Sequence, residues 1–209
     1  MDATADPRAW FATSAGAVVG LVAAIPDDAW ERPALGEWNL RELVAHTVRA
    51  WSTVRAYLAE PRPAADSSVI SASQYLAHGV TVPGVHEGVA QRARDVVGEL
   101  GDDPAAVVRA VADDVAALVD GEPDERLVPT RFGVLTLTEY LRTRAFELTV
   151  HGIDIARASG LELPSDLAAS CVPALGLCAE AAGARGLAVP LLDAATGRAA
   201  LPDDYTLLG

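Results

Sequence analysis

Residues 136–160 read TLTEYLRTRAFELTVHGIDIARASG, and the phase of this stretch decides the fold. Thr136 followed three residues later by Glu139 is a capping-box start, and Gly160 is a helix stop. Between them Leu137, Leu141, Leu148 and Ile155 recur within about 40° of one direction when each residue advances about 100°. The stretch therefore predicts one long helix with a seam facing a core. Along the margin of that seam runs a second stripe, Arg144, Glu147, His151 and Asp154. Glu147 and His151, four residues apart, share a face one turn apart. Burying such a ladder without partners costs several kcal/mol. Either ion pairs satisfy it, Arg144 with Glu147 and His151 with Asp154 on a partly solvated face, or a ligand does.

The rest of the chain extends the helical pattern. Asp6-Pro7 predicts a capped start for a first helix reaching about Ile25, with Trp10, Phe11, Val18, Leu21, Val22 and Ile25 on one face. Asn39 with Glu42 predicts a capping box for a second helix over about Leu40 to Leu58, striped by Leu43, Val44, Val48, Trp51 and Val54. Residues 61 to 85 read as loop with a short helix around Gln74. Further helices are expected from about Val85 to Leu100, from Pro104 to Val119, and from Ser165 to Ala184, the last bent or interrupted near Pro173. "GEPDERLVPTRFGVLT" reads as a turn-rich connection with a short extended piece at "RLVPTRF" and no convincing hairpin signal. The expectation is an all-α four-helix bundle over 1–160, with a C-terminal helical extension over 161–209 packed on the same domain.

Composition narrows the function. Aromatic residues are only 5% of the 209 residues while Ala, Val and Leu dominate, which favours closely packed helices. Every one of the 16 basic residues is arginine, and the net charge of −13 would repel phosphate backbones and anionic lipid, so nucleic-acid binding is not expected. The opening "MDATADPRAW" has neither a basic nor an apolar region of a signal peptide, and the longest apolar run, Ala15 to Ile25, falls short of the ~20 residues of a membrane helix. A cytoplasmic protein without membrane partners is expected, with room for a homodimer. Cys171 and Cys178, about 10 Å apart along a helix, are too far apart for a disulfide and read as small buried hydrophobes. His78 and His86 flank a loop and read as solvent-exposed, while Trp38 and Trp51 read as core or staple residues.

His46, in "NLRELVAHTVRAW", also stands at the edge of a core-facing stripe, about 60° from Leu43. Two helices thus each offer metal-ligand chemistry at their seam, as bundle metal sites are built. One histidine plus Glu-x-x-x-His makes a His2Glu set, three ligands with one position open, a composition that suits catalytic zinc.

"EWNLRELVAHT", "FGVLTLTEYLRTRAFELTVHGIDIARA" and "ATGRAALPDDYTLL" resemble the mycothiol-dependent maleylpyruvate isomerase family, a branch of the DinB-like metal-dependent bundles. The resemblance implies one divalent metal, usually zinc, held by His46, Glu147 and His151, and a low-molecular-weight thiol cosubstrate, mycothiol. The isomerase itself continues into a second domain that supplies a catalytic arginine. This sequence is too short for a comparable domain, which counts against maleylpyruvate isomerisation itself. The expected function is a metal-dependent mycothiol S-transferase or thiol-dependent isomerase acting on a small electrophile. Alternatives are a hydrolase activating water at the same site and a non-catalytic bundle holding a small ligand. No residue is assigned as the catalytic group. Asp154 is placed behind a ligand imidazole, and Arg144 either holds an anionic substrate group or pairs with Glu147.

Overall fold

The architecture is that of a computed structural model, which describes residues 6–81 and 97–207. Among the described residues the order is α1 (Pro7–Ala24), β1 (Pro33–Leu35), β2 (Trp38–Asn39), α2 (Leu40–Ala59), α3 (Ala72–Thr81), α4 (Pro104–Asp120), β3 (Leu127–Thr130), β4 (Gly133–Thr136), α5 (Leu137–Ser159), α6 (Ser165–Ala184) and α7 (Ala188–Ala195). The expected all-α bundle is present. Asp6 caps α1 by accepting from the Arg8 amide, and Pro7 occupies the first turn, where its missing N–H leaves no bond unmade. At α2 the Asn39 side chain accepts from the Glu42 amide at 2.9 Å while Glu42 accepts from the Asn39 amide at 3.0 Å, a complete capping box.

The four bundle helices are α1, α2, α4 and α5. Both α4 and α5 pack against α1 and against α2, so two helices successive in the chain are each flanked by the later pair, a crossover arrangement. Leu137, Leu141, Leu148 and Ile155 of α5 are all fully buried, as the seam required, and face Leu40, Leu43, Val44, Trp51 and Val54 of α2 within one core. The Tyr140 hydroxyl donates to Thr53 Oγ1 at 2.9 Å near one end of the pair, and His46 meets His151 near the other, so α2 and α5 run antiparallel. A buried hydroxyl network ties α5 to α1 and α6: Trp10 Nε1 donates to Thr149 Oγ1 at 3.2 Å, and Ser14 Oγ lies 3.1 Å from both Thr149 Oγ1 and Ser170 Oγ.

Several expectations are corrected. Two short antiparallel hairpins, β1 with β2 and β3 with β4, stand where no hairpin signal was read. Their strands of two to four residues are too short for an alternating pattern to show. The second closes through Gly133 at φ 143, with Ile70 packed so closely over it that a Cβ would lie 2.9 Å from Ile70 Cδ1. Thr136 does accept from the Glu139 amide at 3.3 Å, but Glu139 does not complete the box. Its carboxylate instead accepts from the Ala72 amide at 2.6 Å and from Arg142, so it caps α3 and ties that helix to α5. α6 runs unbroken through Pro173. The helix read over Val85 to Leu100, and His86 before it, fall mostly outside the described residues, with Gly98–Leu100 a 3-10 turn.

α6 lies against α1, α3 and α5, burying Leu167, Ala174, Leu177 and Ala181. It is the one described helix long and apolar enough to cross a membrane by length and composition, although Ser165, Asp166, Ser170 and Glu180 interrupt its apolar run. Cys171 and Cys178 are unbridged and half-buried.

Candidate metal centre

Capping sets the phase of both helices that build the site. With α2 starting at Leu40 under its capping box, His46 falls on the turn that faces α5. With α5 starting at Leu137, Glu147 and His151 fall on the turns that face α2. One donor atom from each of His46, Glu147 and His151 lies within 4.8 Å of the others. His151 Nε2 stands 3.2 Å from Glu147 Oε2, and the His46 and His151 rings meet edge to face with centres 4.9 Å apart. Residues a hundred positions apart in the sequence thus converge at one seam.

The donor set fits a divalent metal. Two imidazoles and a carboxylate are the ligands of an open zinc site, whose bonds of about 2 Å hold donors roughly 3.3 Å apart. Glu147 and His151 already stand at that spacing, so closure falls to His46 across the helix pair. His46 Nδ1 and His151 Nδ1 are buried with no hydrogen-bond partner among the described residues, an unpaired state that buried polar atoms seldom keep.

Electrostatics prepare the three groups differently. Burial drives His46 down to about 4, with the neighbouring His151 adding to the effect, so its imidazole is neutral at pH 7 and free to ligate. Burial alone would raise Glu147, but His151 beside it and the positive charge of Arg144 outweigh burial and hold the carboxyl at about 2. Burial alone would lower His151, but the Asp154 and Glu147 carboxylates outweigh it and lift the imidazole to about 9. The metal-free site therefore holds an ion pair on α5 facing a neutral imidazole on α2.

The other stripe residues separate. Asp154 Oδ2 lies 3.6 Å from His151 Nδ1, an electrostatic contact slightly longer than a hydrogen bond, and accepts from Arg157 at 3.5 Å. Arg144 does not pair with Glu147. Its side chain is buried, its Nε donates to Thr143 Oγ1 at 3.0 Å, and its guanidinium lies over the Tyr140 and Tyr75 rings at 5.2 and 5.7 Å. His78 is exposed on α3 and stands outside the triad.

Sequence reasoning missed two sets of neighbours. Trp38, read as core or staple, stacks its ring 4.7 Å from that of His46 and walls that ligand. Its signal was present as a tryptophan directly before the cap of the ligand helix. Tyr140 and Tyr75 enclose Arg144. Tyr140 precedes Arg144 by four and could have been found from helical spacing, whereas Tyr75 comes from α3, which no periodicity connects to α5.

A family model described as mycothiol maleylpyruvate isomerase N-terminal domain matches residues 6–156 of the 209. The chain belongs to this family. The matched segment takes in α1, α2, α4, most of α5 and all three triad residues, and ends within the last turn of α5. Family membership ties the chain to mycothiol-related, DinB-like proteins. No curated protein matches the chain, and no solved structure matches it.

Proposed function

We propose that this chain is a cytoplasmic, divalent-metal-dependent enzyme, with zinc the first candidate, that transfers mycothiol to a small electrophile or uses it to isomerise one. The observation that carries the reading is the convergence of His46, Glu147 and His151 across two helices of a bundle from a mycothiol-related family. When bound, the metal would lower the pKa of a coordinating thiol and orient its sulfur. The chain's own residues do the rest. His46 offers a neutral imidazole and Glu147 an ionised carboxylate, so two neutral ligands and one anion leave a dication with about one net positive charge, suited to an anionic fourth ligand. Asp154 orients the His151 ring from behind. Trp38 covers the His46 side and limits water there.

Cobalt substitution tests the reading. The cobalt protein should gain thiolate-to-metal charge-transfer absorption on addition of mycothiol, with release of a proton. No change with mycothiol or other cellular thiols while the metal stays bound would replace the thiol reading with water activation. Loss of both metal and thiol binding would leave a non-catalytic bundle.

A further inference from the structure

Between Asp166 and Glu180, α6 carries no charge, and it is apolar on both its inner and its outer face. A helix that is apolar all round is ordinarily covered all round. The inner face of α6, with Leu167, Ala174, Leu177 and Ala181, is buried against α1, α3 and α5. The outer face is open. Val172 and Leu175 are 64% and 68% exposed, and a Cβ at Gly176 or Gly183 would meet no atom within 4 Å among the described residues. α7, which packs on α6, continues the pattern: Val189 and Leu192 are 69% and 64% exposed, and no residue of α7 is fully buried.

The outer face of α6 has a symmetry that favours a second copy of itself. Its exposed residues Ala168, Val172, Leu175, Gly176, Ala179 and Gly183 fall within about 100° of arc and along about 22 Å of the axis. They pair off about the point midway between Leu175 and Gly176: Leu175 with Gly176, Val172 with Ala179, Ala168 with Gly183. Every pair joins a larger residue to a smaller one. An antiparallel copy crossing at that point therefore sets each larger side chain at the level of a smaller one on its neighbour, the self-complementarity of a two-fold interface. Because the face carries no charge, two chains of net charge −13 meet there without a like-charge contact. A lipid surface fits less well. The face has no aromatic anchor, and Arg142 and Arg185, which adjoin α6, are held by Glu139 and Glu180 and by the Thr206 carbonyl instead of being offered to headgroups.

We propose that α6, flanked by α7, is the face through which two copies of this chain associate as a two-fold dimer. It lies beyond the family-matched segment, which ends at residue 156, and it does not depend on the metal–thiol reading. Val172, Leu175, Val189 and Leu192, with the small residues beside them, expose on the order of 400 Å² of apolar surface, within the range of functional patches. Two copies together bury roughly 800 Å² before any rim is counted, less than the roughly 1,200–2,000 Å² of a tight complex. The dimer is therefore a reversible one in the micromolar range.

Sedimentation velocity of the full chain from about 1 μM to about 500 μM tests the assignment. Monomer and dimer should exchange with a Kd on the order of 10–100 μM, and added NaCl should strengthen the dimer by screening the repulsion between two acidic chains. Leu175→Glu, at an exposed position, should leave a folded monomer, and Ala179→Glu takes its place if that variant does not fold. Gly176→Leu decides between close packing and general stickiness. It adds apolar surface and helix propensity, so Tm should hold or rise, yet it fills the recess opposite Leu175 and should weaken the dimer at least tenfold. Leu118→Glu, at an exposed apolar position on α4, should leave association unchanged. A monomer throughout the range, a dimer that survives both glutamate substitutions, a dimer strengthened by Gly176→Leu, or one weakened by salt would overturn the proposal. So would a monomeric chain that cosediments with phosphatidylcholine vesicles and loses them on Leu175→Glu, since the face would then belong to lipid.

Discussion

Replacing Gly152 with alanine should destabilise the protein although alanine is the better helix former. Gly152 follows His151 on the face of α5 that meets α1 and α6, and a Cβ there would lie 2.7 Å from Leu167 Cδ2 and 3.0 Å from Val18 Cγ2. Both neighbours are fully buried, on different helices, so neither side chain can swing into open space. Overpacking of this kind costs roughly 1–3 kcal/mol, and two closed contacts put this site near the upper end. The helix-propensity gain of alanine over glycine returns about 1 kcal/mol. The expected net loss is about 2 kcal/mol, or roughly 4–8 °C in Tm for a domain of this size. Gly20→Ala is the control, at an exposed position inside α1 where a Cβ meets nothing within 4 Å. It should stabilise by up to about 1 kcal/mol. Urea and thermal unfolding of both variants decide the matter. A Gly152→Ala protein as stable as the parent would show that α1, α5 and α6 are not packed as closely as described.

Thr149→Val removes the acceptor of Trp10 Nε1 and the partner of Ser14 Oγ in a buried network, and should cost about 1–3 kcal/mol by urea unfolding; a neutral effect would mean that the network is open to water. The triad sets a pH profile for the metal-free protein. His151 is raised to about 9, so its contribution is complete below its unfolded value near 6.5 and is lost as pH climbs through 9. His46 is lowered to about 4, so its contribution is complete above 6.5 and fades as pH falls toward 4. Stability by urea midpoint should therefore decline on both sides of neutrality, with the alkaline limb flattened in His151→Gln. Zinc binding at pH 7 should release about one proton, from His151, since His46 is already neutral; release of none would contradict the ion pair.

The helical parts of the fold were legible because their start and stop signals act locally. Asp6-Pro7, Asn39 with Glu42, and Thr136 to Gly160 set the ends of α1, α2 and α5, and those ends set the faces on which His46, Glu147 and His151 project. What was not legible depends on contacts distant in sequence. Glu139 has the spacing of a capping-box partner, yet the Ala72 amide of α3 draws its carboxylate away at 2.6 Å. Nothing in the local pattern of α5 reveals that donor. The same holds for Arg144, where spacing allowed a pair with Glu147 and the tyrosines of α3 and α5 took the guanidinium instead. The chemistry of Pro173 predicts a bend or an interruption, but α6 continues through it without interruption, its inner face buried against three helices.

The central claim is that His46, Glu147 and His151 hold one divalent metal between them, and elemental analysis of purified protein after dialysis against a weak chelator tests it most directly. The parent should retain about one equivalent of metal, and His46→Ala, Glu147→Ala and His151→Ala should each retain far less, because losing one of three protein ligands leaves too few to hold the ion. Full metal content in all three variants would contradict the site.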